Sequence, residues 1–453
     1  MKINRNIFRE YDIRGIYEDD LKGDFPYSLG HAFGKHAHKI GKNRICVGGD
    51  NRISTRYLKE QLIKGLYDTG CTVMDIGIAP TPMLYFAVHK ENMDGGIVVT
   101  ASHNPPEYNG FKMVLDKKSL YGAQIQQIAD SMEIGVFSKK KGSIEQRNIL
   151  SDYISFIADS FNFKKKFRIG VDTGNGTLGP VLIQILEKFN FEVFPLYIDS
   201  DPTFPNHPPD PLVADNLKDL RQVVLDNKLD AGFAYDGDGD RLGVIDDKGE
   251  ILWGDQLMIL YSRDILSRIP NASIVFDVKC TKSLEEEIRK AGGNPIMWKT
   301  GHSLIESKMA EEKAPLAGEL SGHLYFSDEY YGYDDAVYAT MRLLRIMDNV
   351  SDKLSDLFKG VKQYCSTPEI RIDVPDDKKF AVVEKVKKFF ESHYKTSDLD
   401  GVKVYFNDGW ALARASNTQP AIVVRVEAET ETSLKGIKKV VLSKISEVLE
   451  SKS

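Results

Sequence analysis

Apolar positions along the chain gather into short β-branched runs, each followed by a polar loop with an aspartate and then by a segment of helical period. The first is Arg44 to Asp50 (RICVGGD), with TRYLKEQLIKGLYDTG and CTVMDIG behind it. The second is Phe167 to Asp172 (FRIGVD), then PVLIQILEKFN and FEVFPLYID. The third is Ser273 to Asp277 (SIVFD), then KSLEEEIRKAGG and NPIMWKTG. Strand–helix–strand units of this kind predict parallel, doubly wound sheets. Each unit then reaches another apolar strand that runs into a polar loop: GGIVVT into ASHNP, DAGFAY into DGDGDR, APLAGE into LSGH. Ligands of open α/β sheets bind beyond the carboxyl ends of strands, where these loops lie.

From about Pro368 the pattern changes to strand EIRIDV, helix KKFAVVEKVKKFFESH, strands VKVYF and AIVVRVEAE, and a last amphipathic helix. The fold expected is α/β: three related doubly wound α/β modules followed by a smaller α+β C-terminal domain. Expected boundaries are 1–152, 153–254, 255–367 and 368–453.

Composition adds mainly exclusions. A net charge of −6 over 453 residues gives no electrostatic argument for nucleic acid or an anionic membrane. Cys46, Cys71, Cys280 and Cys365 are scattered without a CxxC pair, which disfavours a thiolate zinc site and fits a reducing compartment. There is no apolar run of about 18 residues and no secretory pattern at the polar N-terminus. A cytoplasmic protein is expected. No interface is visible in the sequence; the oligomeric state is left open, with a monomer favoured.

Chemistry concentrates in four loops. Asp236, Asp238 and Asp240 alternate with glycine. On a straight strand their side chains would stand about 6.6 Å apart, at ~3.3 Å per residue. Magnesium needs oxygens at about 2.1 Å, so Gly237 and Gly239 are expected to fold the segment inward through unusual φ values. Glycine alternation straight after an apolar strand favours metal over a solvated acidic turn. An EF-hand is disfavoured, because its sixth and twelfth positions would be Arg241 and Asp247.

Ser102 and His103 sit in TASHNP; taken alone, a Ser-His pair in a loop is more often structural than catalytic. Glu319, Ser321 and His323 offer a sugar both acceptors and donors, although a surface turn is an equal reading. Arg414 to Pro420 (RASNTQP) suits a phosphate dianion as well as it suits a capped turn. Gly174 to Gly179 matches GxGxxG, with Asp199 twenty residues on, the arrangement of a dinucleotide site. We read it as a tight turn, because no other feature requires a nicotinamide. No Walker A loop is present.

Seven segments in order carry a resemblance: Tyr11 to Gly15 (YDIRG), TASHNP, DGDGDR, DVKCT at 277–281, KTGHS at 299–303, GELSGH at 318–323, and RASNTQP. Together the chain resembles the α-D-phosphohexomutases, most closely the bacterial phosphomannomutase/phosphoglucomutase branch. The resemblance implies a four-domain, heart-shaped enzyme that interconverts hexose 1-phosphate and hexose 6-phosphate through a phosphoserine and a hexose 1,6-bisphosphate. It implies Ser102 as phosphoserine, with Asp236, Asp238, Asp240 and the Ser102 phosphate holding Mg²⁺. Lys279, His302, Glu319, Ser321 and His323 would contact the sugar, and Arg414, Ser416, Asn417 and Thr418 the phosphate that is not reacting. Tyr11, Arg14, His103, Lys112 and Arg241 match positions near the phosphoserine; Arg14, Lys112 and His302 are candidates for moving protons. Small-molecule hexose phosphates are the partners implied.

Overall fold

The computed structural model describes residues 3–135, 140–417 and 419–450. In the first module, strands Arg44–Gly49, Thr72–Ile78, Gly95–Val99 and Ser143–Gln146 run parallel. Tyr108–Leu115 runs back beside Gly95–Val99, and Ile13–Ile16 closes that edge antiparallel to it. Side chains alternate across this sheet with the two-residue period of a strand. Ile45, Val47, Ile97 and Val99 face Leu29, Phe33, Leu58 and Leu62 of helices Phe25–Lys39 and Thr55–Asp68. Cys46 and Val98 face Leu84 and Val88 of helix Thr81–Lys90 on the other side.

The next two modules repeat the plan. In the second, Ala231–Tyr235, Arg168–Asp172 and Glu192–Leu196 are parallel and Leu242–Asp246 returns beside Ala231–Tyr235. In the third, Asn294–Trp298, Ser273–Asp277 and Leu316–Gly318 are parallel and Leu324–Phe326 returns beside Leu316–Gly318. The sheets are therefore mixed, not wholly parallel. The antiparallel partner is the strand after each polar loop, so TASHNP, DGDGDR and ELSGH occupy one topological position in three sheets.

The fourth sheet joins Gly409–Ala415 to Ala421–Ala428 and to Val402–Phe406, all antiparallel, with helices Lys379–Glu391 and Glu431–Glu450 packed on it. RASNTQP is the turn of its Gly409–Ala415/Ala421–Ala428 hairpin. Strands Gly409–Ala415 and Lys395–Ser397 were not expected. The first is rich in alanine and the second is three residues long, so neither shows a β-branched signal.

One continuous core runs through the first three modules, from Leu84 and Phe86 through Phe233 and Tyr235 to Phe276 and Tyr338. The C-terminal domain has its own core, and a small cluster of Val278, Trp410 and Leu412 joins it to the third module. Helix Leu150–Ser160 runs across the boundary expected after residue 152, and helix Gly254–Arg268 starts at residue 254. We propose to move both boundaries a few residues towards the N-terminus. Among the described residues no helix is long and apolar enough to cross a membrane.

Candidate active site

Ser102 lies in the loop after strand Gly95–Val99, buried, with φ +52°. A non-glycine residue in this region is strained, and it persists only where its surroundings fix it. Here the fixing group is Arg52, a residue not identified from the sequence. Its buried guanidinium donates to the carbonyl oxygens of Ser102 (2.9 Å), Asn104 (2.6 Å), Pro105 (2.5 Å) and Tyr108 (3.1 Å). Asp50 holds Arg52 in turn through Nε at 3.0 Å.

So held, Ser102 Oγ donates to Asp236 Oδ2 at 2.5 Å and lies 3.0 Å from Nδ1 of His103. Adjacency in sequence is contact in space. Burial, reinforced by Arg241 and Arg14, holds the His103 imidazole well below its ordinary pKa.

Asp236, Asp238 and Asp240 are buried, and each offers an oxygen within 4.8 Å of the others. Asp236 Oδ1 accepts from the backbone N–H groups of Gly239, Asp240 and Arg241 at 3.0–3.1 Å, which curls the loop. Only Gly239 has a positive φ, +78°. The expectation that both glycines serve by φ is corrected: Gly237 serves by lacking a side chain, since a Cβ there would lie 2.5 Å from the Ser102 carbonyl oxygen. Gly237→Ala is expected to push the two loops apart, at a cost of about 1–3 kcal/mol in urea unfolding and with a fall in activity.

The GxGxxG segment supports this loop. Gly176 backs onto Gly237 with no room for a Cβ, Thr177 N–H donates to the Gly237 carbonyl at 2.8 Å, and Gly179 abuts the Ile198 carbonyl. Its glycines are filled by protein, which explains the motif without a dinucleotide.

Do these carboxylates fit a cation? Lys112 Nζ contacts both Asp238 (2.7 Å) and Asp240, and Thr81 Oγ1 donates to Asp238 at 2.6 Å. Asp238 Oδ1 and Asp240 Oδ1 are buried and accept no hydrogen bond from any described residue. Burial, Asp240 and Asp238 push Asp236 well above its ordinary pKa. Three hard anionic oxygens facing one ammonium suit a divalent cation such as Mg²⁺. Burial opposes the charge on Lys112, but the aspartates overcome it and hold the ammonium above its usual range. Lys112 lies among the carboxylates and does not line the cleft described next.

A cleft of about 950 Å³ opens beside the Ser102 loop, whose His103 and Asn104 line it. From the first module it is lined by Tyr11, Arg14 and His103, from the second by Arg241, and from the third by Lys279, His302, Glu319, Ser321 and His323. The C-terminal domain adds Arg414, Ser416 and Asn417. Thr418 lies outside the described residues.

Arg14 donates to Asp12 at 2.6 Å and to Asn104 at 2.5 Å. Arg241 Nε donates to His323 Nε2 at 3.0 Å, so His323 Nδ1 carries the proton it gives to Asp334 at 2.7 Å. His302 begins helix His302–Glu312, and burial, Lys112 and His323 keep its imidazole well below the usual pKa. Burial raises the pKa of Glu319, whose Oε1 accepts from Gly301 N–H at 2.7 Å.

Tyr11 ties three domains together: its hydroxyl donates to the Thr300 carbonyl at 2.5 Å and accepts from Asn417 Nδ2. The phosphate-type turn rests on partners that sequence reading missed. Asp400 accepts from Arg414 Nε at 2.8 Å, and Lys379 donates to the carbonyls of Ser416 and Gln419.

Lys279 donates to Glu369 Oε1 at 3.0 Å across the boundary of the last two domains. Lys279 pulls the Glu369 carboxyl from 4.5 down to about 2. A depressed carboxyl pKa stabilises fully above the unfolded value and is lost as pH falls towards the folded one. The contribution, on the order of 3 kcal/mol, should therefore fade from about pH 4.5 to 2. Glu369→Gln should remove that slope, read from urea midpoints at about pH 3 and 6.

Family models for phosphoglucomutase/phosphomannomutase match in series: α/β/α domain I over 5–137, domain II over 151–249, domain III over 253–364 and the C-terminal domain over 369–444. The chain is 43% identical over 444 residues to a phosphomannomutase/phosphoglucomutase of Pseudomonas aeruginosa, covering 98% of this chain and 96% of the relative. It is 40% identical over 440 residues to a phosphoglucomutase of Neisseria meningitidis, covering 96% and 95%. A crystal structure of a phosphoglucomutase/phosphomannomutase family protein from Burkholderia thailandensis superposes with a TM-score of 0.93 at 38% identity, over 100% of this chain and 99% of that one. Four domains in order, near-complete coverage and the loops of the cleft lead to one statement: the chain belongs to the phosphoglucomutase/phosphomannomutase family, the bacterial branch of the α-D-phosphohexomutases.

Proposed function

We propose that the protein interconverts hexose 1-phosphate and hexose 6-phosphate, of mannose, glucose or both, through phosphorylated Ser102 and a hexose 1,6-bisphosphate. The observation that carries this reading is the 2.5 Å contact between Ser102 Oγ and Asp236, on the two loops whose His103 and Arg241 line a cleft shared by all four domains. The names of the relatives support the reaction class.

Asp236, Asp238 and Asp240, with an oxygen of the Ser102 phosphate, would hold Mg²⁺. Bound there, the ion supplies positive charge to phosphoryl oxygens as charge builds on them. Arg414, Ser416 and Asn417 grip the phosphate that is not reacting, with Thr418 as a fourth contact, and Lys379 and Asp400 keep that grip in shape. Glu319, Ser321, His323 and Lys279 take the sugar hydroxyls. Binding energy from the far phosphate then aligns whichever sugar oxygen faces Ser102.

In the first transfer the sugar hydroxyl forms a bond to phosphorus as the bond to Ser102 Oγ breaks. The hydroxyl proton leaves the sugar, and Ser102 Oγ regains one. His302, held neutral in the cleft wall, fits the acceptor. Arg14 and Arg241 in the cleft wall, and Lys112 among the aspartates, act by stabilising charge. The bisphosphate turns end for end, and Ser102 takes back the other phosphoryl group by the reverse steps. One chain completes the cleft, so a monomer suffices. The free thiols fit a cytoplasmic location.

Intact-protein mass spectrometry with peptide mapping tests the assignment. A phosphate adduct on Ser102 is expected, together with activation of mannose 1-phosphate conversion by a trace of glucose 1,6-bisphosphate. An adduct on another residue, or steady release of inorganic phosphate without isomerisation, would overturn it.

A further inference from the structure

A second, larger groove lies between the first and third modules, on the far side of helix His302–Glu312 from the active cleft. It spans about 1750 Å³, part of it open to solvent, and shares no lining residue with the cleft. One wall is Lys117 to Tyr121, and the other is the face of the helix that carries Ser303, Glu306, Ser307 and Ala310. Only two side-chain hydrogen bonds cross it among the described residues: Ser119 Oγ to Glu306, and Tyr121 with Ser307 at 3.3 Å.

Its chemistry is that of a binding site. Lys117, Lys118 and Lys313 are on its rim, and none forms an ion pair with a carboxylate among the described residues. Lys308, one turn away on the same helix, is by contrast committed to Glu311 and Glu312 at 2.9 and 2.6 Å. Ser303 Oγ, on the wall, is wholly buried and has no hydrogen-bond partner among the described residues. Burial lifts the Glu306 carboxyl to about 7, so near neutrality it can both give and accept a hydrogen bond. Tyr331, 41% exposed, closes one end with its ring stacked on His89 at 4.7 Å.

We propose that this groove is a second binding site for a phosphorylated sugar, which acts on the active cleft through the helix it lines. The lysines take the phosphate, the Ser303, Ser307 and Glu306 groups take hydroxyls, and Tyr331 meets the apolar face of the ring. The helix starts with His302 in the active cleft and presents Ser303 and Glu306 to the groove within the next turn. A ligand that separates Ser119 from Glu306 shifts the same rigid element that aims His302.

Equilibrium dialysis of the full chain against radiolabelled glucose 6-phosphate tests this, because isomerisation leaves the label unchanged. The wild type is expected to bind about two molecules per chain. The variant Lys117→Ala/Lys118→Ala/Lys313→Ala should bind about one and keep its basal rate, and Arg414→Ala should also bind about one, having lost the other site. The rate against glucose 6-phosphate should depart from a hyperbola in the wild type and follow one in the triple-lysine variant. A count that is the same in the wild type and the triple-lysine variant, whether one or two, would overturn the site. Displacement of the groove-bound label by inorganic phosphate as readily as by unlabelled sugar phosphate would overturn the sugar assignment. Two-site binding with identical rate curves would overturn the coupling. The dialysis count needs no turnover, so it stands apart from the fate of the mutase reading.

Discussion

Ser102→Ala is expected to lower kcat/KM by at least about a thousandfold, because the reaction then has no oxygen through which to pass the phosphoryl group. A methyl group occupies the same buried space, so loss of fold is not the expected cause. What changes locally is Asp236: its Oδ2 loses the 2.5 Å hydroxyl donor and keeps only Arg241 Nε at 3.9 Å. Steady-state assay with mannose 1-phosphate and glucose 1,6-bisphosphate reads the effect, and a urea curve checks that the variant is folded. A folded variant within about tenfold of the wild-type rate would remove Ser102 from the mechanism.

Asp238→Asn should cost at least about a hundredfold in rate, and it should also alter a property unconnected with turnover. Asp238 Oδ2 accepts from both Lys112 and Thr81, while its Oδ1 is buried without a donor. An amide has one oxygen, and whichever way it turns, an N–H₂ donor faces either existing donors or the cation. A ligand that binds only the folded state stabilises by about 2.7 kcal/mol at a hundred times its Kd. Added Mg²⁺ should therefore raise the Tm of the wild type and raise that of Asp238→Asn far less. Equal Tm gains in both proteins would show that the ion is held elsewhere.

The sequence was readable wherever physics is local. Alternating apolar positions predict strands because successive side chains point to opposite faces, and RICVGGD, FRIGVD and SIVFD all became parallel strands. The polar loops were visible as abrupt changes at strand ends. The aspartate trio was legible in its spacing, although the role of Gly237 was not: that role is a close approach to Ser102, a residue 135 positions earlier in the chain. Arg52, Lys379, Asp400 and Asp334 escaped notice for the same reason. Each is a common surface residue type whose meaning comes from partners brought close only by folding. A buried charge with several acceptors has no periodicity to betray it.

The repeated position of the three polar loops has a consequence for history. Three sheets share one strand plan, each with its polar loop between the last parallel strand and the strand that doubles back, the pattern that tandem copying of one unit would leave. After such duplication each copy could specialise by changing a handful of turn residues while its layers stayed intact. In the proposed mechanism one turn carries the nucleophile, one the metal ligands and one the sugar contacts. Exchanging residues on one turn should therefore change one chemical role and leave the three sheets as they are.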